Sequence, residues 1–141
     1  MSNKLKLVHS ILHSMDEVQL RYRHEYRHGL QRHAMNPAEA DVLLAIGGFD
    51  GSPPSVSELA KVLCVDTLPS RSVKRLRSLG YIVREDDDDD DRIRRLRLTK
   101  EGLNAYREVK ELKDSIARTV SKNVSRQDLQ VAMRVCEAIK W

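Results

Sequence analysis

At 141 residues the chain is long enough for one domain with a sizeable core and too short for two independent catalytic domains. Charged residues make up 33% and the formal charge is +4, a balance that suits a nucleic-acid partner but is shared by many proteins, so charge alone selects no function. The two cysteines, Cys64 and Cys136, lack metal or redox spacing, and no apolar stretch reaches the length of a signal peptide or membrane span; a soluble cytoplasmic protein without a cofactor is the expectation.

The first periodic segment runs from about Lys4 to Leu30, with Leu5, Val8, Leu12, Met15, Tyr22 and Tyr26 at helical spacing. Leu7, Ile11 and Val18 add a second apolar flank, wider coverage than a surface helix needs, which predicts packing on more than its own subunit. Two histidine pairs on this segment, His9 with His13 and His24 with His28, have an i,i+4 spacing that could hold zinc. With no third clustered ligand in the sequence, solvated or packing roles are the expectation and no metal is expected.

Asn36-Pro37-Ala38-Glu39 opens a second helix, with Asn36 as N-cap, Pro37 at the first helical position and Glu39 completing a capping box. Its inward face is Val42, Leu43 and Ile46, and Gly47-Gly48 stops it before a turn-rich loop that reaches Pro54. Ser55 and Glu58 form another capping box ahead of Val56, Leu59, Val62 and Leu63. After Cys64 and Val65, Asp66 or Thr67 serves as N-cap of the next helix and Pro69 falls in its first turn. Val73, Leu76 and Leu79 form the apolar side of that helix, Gly80 ends it, and Ser70, Arg71, Lys74, Arg75 and Arg77 make the other side basic. Helix, tight turn and basic helix is the helix-turn-helix pattern.

Tyr81–Arg84 and Arg94–Leu98 are β-compatible runs flanking a polar tip from Glu85 to Arg92, and alternation sets Leu96 and Leu98 against Arg95 and Arg97. A basic hairpin after a recognition helix is a wing. Thr99 then caps a long helix through Leu103, Tyr106, Val109, Leu112, Ile116 and Val120. A break around Asn123 to Ser125 precedes a last helix, begun by Ser125 with Asp128 and holding Leu129, Ala132, Met133, Cys136 and Ile139. The first helix and the last two are each apolar over a broad arc, and in a chain with one Trp, one Phe and four Tyr, pooling those arcs across two subunits is the simplest way to bury them.

The run SRSVKRLRSLGYIVRE, the Asp-x-Arg of Asp90 and Arg92, and Leu98-Thr99 with Gly102 together resemble the MarR-type winged-helix transcriptional regulators. The resemblance spans nearly the whole chain, with about fifty central residues carrying its specific motifs. It implies a mainly α fold with a small β-hairpin wing, a winged helix-turn-helix with long N- and C-terminal dimerisation helices. Residues 1–141 then form a single domain, with 36–99 binding double-stranded DNA and 1–35 and 100–141 pairing the homodimer. Leu68-Pro69 and Asp91 depart from the family pattern, which has small or β-branched residues at the first site and a basic residue at the second; both bear on the preferred DNA sequence. The resemblance further implies that Asp90 orients Arg92 by an ion pair, leaving Arg92 to reach the minor groove, whose negative potential attracts arginine.

On this reading the DNA-binding residues are Ser70, Arg71, Lys74, Arg75, Arg77, Arg92 and Arg94, with Arg71 placed for a guanine edge and Lys74 and Arg75 for phosphates. Glu85 to Asp91 are seven consecutive acids beside the wing arginines. They lack calcium-loop register, so a solvated tip is the expectation. By charge alone Asp86 to Asp89 oppose phosphate approach; the alternative is that they hold neighbouring arginines. Cys64 reads as a small buried residue, or as a redox switch of the kind some relatives use. No catalytic constellation is present in the sequence, and an enzyme is not expected. A ligand-responsive repressor acting as a homodimer on an inverted repeat is the leading reading, with a small-molecule effector of unnamed identity. The other is a winged-helix adaptor module without a specific operator.

Overall fold

The computed structural model describes residues 2–63, 69–90 and 92–139. In chain order they form α1 (Asn3–Gly29), a short 3-10 turn (Gln31–His33), α2 (Pro37–Gly47), α3 (Val56–Val62), α4 (Ser70–Ser78), β1 (Ile82–Asp86), β2 (Arg94–Leu98), α5 (Lys100–Ser121) and α6 (Arg126–Ala138). Caps set most of these boundaries. Asn36 and Ser55 each accept the backbone N–H three residues on while Glu39 and Glu58 return the bond, so both capping boxes close. Ser2, Thr99 and Ser125 cap α1, α5 and α6 in the same direction.

The start of α4 differs from the sequence expectation. Pro69 stands at the N-cap, one residue outside the helix, with φ −77° and no side-chain cap, and its carbonyl accepts the Val73 N–H at 3.0 Å. A ring that fixes φ without offering an N–H serves this position as well as the first turn. Cys64, Val65, Asp66, Thr67, Leu68 and Asp91 lie outside the described residues, and with them the two candidate caps, the Cys64 readings and the departures at Leu68 and Asp91. At the other end of α4, Gly80 takes φ +78° and passes its N–H to Arg77, while Tyr81 donates to Leu76; this pair of bonds turns the chain sharply into β1.

α2 sits at the centre, against α1, α3, α4, α5 and β2. Leu43 is fully buried with Val42 and Ile46, and around them close Leu59, Val73, Leu76, Ile82, Leu96, Ala105 and Val109. Tyr26 carries α1 onto this core. Its hydroxyl donates to Asp41 at 3.3 Å, and burial with the Asp41 charge beside it pushes the phenol well above its ordinary range, so it stays a donor. The hairpin is antiparallel, pairing Ile82 with Leu98 and Asp86 with Arg94. That register draws Glu85 and Asp86 into β1 and shortens the tip. Leu96 and Leu98 face inward and Arg95 and Arg97 outward, as alternation predicts, and the Leu96 N–H also reaches back to the Pro54 carbonyl at 2.8 Å.

α5 begins where the chain passes closest to itself. Thr99 caps Gly102 and donates its hydroxyl to the Gly80 carbonyl, while its N–H bonds Tyr81. A Cβ on Gly102 would overlap the Tyr81 carbonyl. The Leu98-Thr99 and Gly102 spacing therefore docks the long helix on the turn that follows α4. Along α1 and α6 many apolar residues are exposed: Leu7, Val18 and Leu20 are 58%, 63% and 73% exposed, and α6 buries no residue. No helix of the described residues is long and apolar enough to cross a membrane.

Candidate nucleic-acid interface

The polar side of α4 is built by its own period. Val73 and Leu76 anchor it to α2, which leaves Ser70, Arg71, Lys74, Arg75 and Arg77 exposed on the side away from the core. These positions are not equivalent. Arg75 leans back, its Nη2 3.4 Å from the Ala34 carbonyl and its Nε 4.0 Å from Glu39, so it ties α4 to the start of α2. Tyr81 adds a parallel tie through its hydroxyl to the His33 carbonyl at 3.4 Å. Arg71 and Lys74 project with no ion pair among the described residues.

Beside α4, the wing is an ordered lattice of opposite charges. Arg94 meets Asp86 at 2.7 Å, and Arg97 pairs diagonally with Glu85 across the strands. Arg95 donates Nε to Asp87 at 2.8 Å and Nη1 both to Glu58 of α3 at 2.5 Å and to the Pro53 carbonyl at 3.2 Å. At the tip, Arg92 donates Nε and Nη2 to the two oxygens of Asp90, each at 3.1 Å, and its backbone N–H goes to the same carboxylate at 3.0 Å. The Arg92 side chain is nonetheless 87% exposed. The hydrogen bond from Arg95 holds the Asp87 carboxyl below its ordinary range, and that from Arg92 does the same for Asp90. Burial pushes Glu58 up, but the Ser55 bonds and Arg95 outweigh it and leave that carboxyl low as well.

Sequence reading had placed Arg92 and Asp90 together, and they are together. The sequence shows Glu58 as a cap alone and leaves open whether Asp87 repels phosphate or holds a neighbouring arginine; in the structure both are partners of Arg95. Glu58 and Arg95 lie 37 positions apart, and no local signal joins them. Among the described residues no group of three or more His, Cys, Asp or Glu is placed to hold a metal ion; His13 instead meets Glu17 at 2.7 Å.

Residues 33–93, somewhat under half of the chain, match the family model described as MarR family, and the matched span runs from the end of the 3-10 turn through β1 to the wing tip, stopping short of β2. That central span is similar to the MarR family. Solved structures similar to this chain include a cysteine-to-serine mutant of MarR from E. coli complexed with operator DNA, at TM-score 0.79 and 20% identity, covering 98% of this chain and 99% of that one. A probable transcriptional regulator from Pseudomonas aeruginosa follows at 0.77 and 20%, covering 95% and 99%. CouR from Rhodococcus jostii RHA1, bound to p-coumaroyl-CoA, superposes at 0.77 and 17%, covering 92% and 90%. At these identities the likeness is one of fold, a winged helix between long helices. Comparison with the curated proteins gives no significant match.

Proposed function

We propose that the protein is a cytoplasmic, homodimeric repressor that reads an inverted-repeat operator and answers to a small-molecule effector. The observation that carries this reading is the pairing of an exposed basic α4 with an exposed wing arginine, Arg92, clamped by Asp90. A recognition helix positioned by an apolar anchor can enter the major groove while the wing reaches the adjoining minor groove. In this reading residues 36–99 bind DNA, while 1–35 and 100–141 pair the subunits and bury the exposed apolar faces of α1 and α6. Those faces are larger than scattered surface leucines require, which supports the pairing. Arg71 contacts a base edge, Ser70, Lys74 and Arg77 hold backbone phosphates, and Arg94 contacts phosphate from the wing. Arg75 divides its charge between DNA and Glu39. The likeness to CouR in complex with p-coumaroyl-CoA supports an effector without naming one.

The test is a competition titration with a fragment from upstream of the protein's own gene, run in excess nonspecific duplex, with the stoichiometry read by sedimentation. One dimer per site, resistant to competitor, is expected. Equal affinity for fragment and competitor would favour an adaptor module with no operator.

A further inference from the structure

Resting on the DNA-binding reading above, we propose that Glu58, Arg95 and Asp87 are positioning residues for the wing. On this view a continuous chain of charge-assisted hydrogen bonds runs from α3 to Arg92 and fixes the wing tip relative to the helix-turn-helix. Each link is present. Glu58, held in place by its own capping box with Ser55, accepts Arg95 Nη1 at 2.5 Å. Arg95 passes Nε to Asp87 Oδ1 at 2.8 Å, and Asp87 Oδ2 accepts the backbone N–H groups of Asp89 at 3.1 Å and Asp90 at 3.0 Å. Those two bonds shape the turn that carries the Asp90 carboxylate, and Asp90 in turn takes the Arg92 fork in two parallel bonds.

From α3 outward the side chains of Glu58, Arg95, Asp87 and Asp90 are 39%, 21%, 17% and 32% exposed, and Arg92 at the end is 87%. Only the last member has most of its side chain in solvent, as a reader mounted on a frame would. Arginine is the one side chain suited to the middle position: its planar guanidinium offers donors on two edges, so it can bond Glu58, Pro53 and Asp87 together, which a lysine point charge cannot reproduce. Ile82 and Leu96 anchor the base of the hairpin in the core, but the two-stranded tip beyond them is marginal by itself, and without this tie it would sample many positions. Fixing it in advance reduces the ordering that DNA binding must impose.

Glu58→Gln is the informative variant, because glutamine preserves the capping box while removing the charge that anchors Arg95. Two measurements on the full chain decide. In the free protein, amide exchange at Asp89, Asp90 and Arg92 should accelerate several-fold in Glu58→Gln and in Arg95→Lys, with the amides of Leu43 and Leu76 unchanged. On the upstream fragment of the protein's own gene, each variant should lose roughly three- to tenfold in affinity, less than a lost charge-assisted bond to DNA would cost because the tie acts on the reader only through its position. The same changes made in an Arg92→Ala background should cost less than about twofold, because the frame then has no reader to position. Unchanged tip exchange in Glu58→Gln, or equal losses with and without Arg92, would overturn the proposal. Failure of the wild-type chain to prefer that fragment over nonspecific duplex would instead count against the DNA-binding reading, while the exchange data would still decide whether the frame exists.

Discussion

An aspartate in the wing acts according to what stands opposite it. Taken as charge alone, Asp86 to Asp89 should all repel phosphate, so neutralising Asp86 or Asp87 should tighten DNA binding. The structure separates them: Asp86 neutralises Arg94 and Asp87 holds Arg95, while the carboxylates of Asp88 and Asp89 have no cationic partner among the described residues. Asp88→Asn and Asp89→Asn should therefore tighten binding about two- to threefold at low salt, with the gain fading as the screening length falls toward roughly 8 Å at physiological salt. Asp90→Asn should weaken binding, since it releases Arg92. Titration of the three variants at two salt concentrations checks this, and uniform tightening would show that the run acts only as a brake. The pH dependence follows from the same bonds. Asp87, Asp90 and Glu58 have carboxyls depressed by the fold, so their contribution is complete above the unfolded carboxylate range, about 4, and is lost as pH falls through their lower folded values. Exchange protection at the wing tip should hold from neutral pH down to about 5 and collapse only below 4. On α4, Arg71→Ala should cost about 1–3 kcal/mol and relax preference at one base pair per half-site, whereas Lys74→Ala should weaken all sequences alike and lower the salt slope by about one per subunit. Equal loss on every sequence for Arg71→Ala would reverse these roles.

Elements were legible in the sequence wherever a local rule sets them. Asn36, Ser55, Thr99 and Ser125 announce four helix starts because a cap needs only a side-chain oxygen and an N–H a few residues away. The 3-10 turn at Gln31–His33 carried no such mark, and it ends in Ala34 at φ +55°, a left-handed conformation that alanine does not favour and so does not announce. The extension of β1 to Asp86 escaped notice for a related reason: an acidic run reads as loop until cross-strand arginines compensate it, and that requires the register. Long-range ties such as Arg75 to Ala34 and Arg95 to Glu58 exist only once the elements are docked. Gly102 shows how a sequence motif acquires a mechanical meaning. Gly102→Ala must push α5 away from the Tyr81 carbonyl, a rigid backbone neighbour, and should destabilise the fold by about 2 kcal/mol or more. A chemical-denaturation midpoint equal to that of the wild type would show that the α5 start has slack.

At the scale of the whole molecule, charge and apolar surface are segregated. The basic helix and wing occupy one region, and most of the uncovered leucines and valines lie on α1 and α6, with others on α5 and single valines, Val62 and Val83, on α3 and β1. A dimer joined through those helices would present two recognition helices related by a two-fold axis, and DNA that fits both must carry the same symmetry. The most direct measurement is selection from a random duplex pool by the full-length chain, followed by sequencing of the retained molecules. The account predicts an enriched motif that is an inverted repeat, its half-site centres about one helical turn, roughly 10 base pairs, apart. A retained pool with no enriched motif, or with a single site lacking two-fold symmetry, would contradict it.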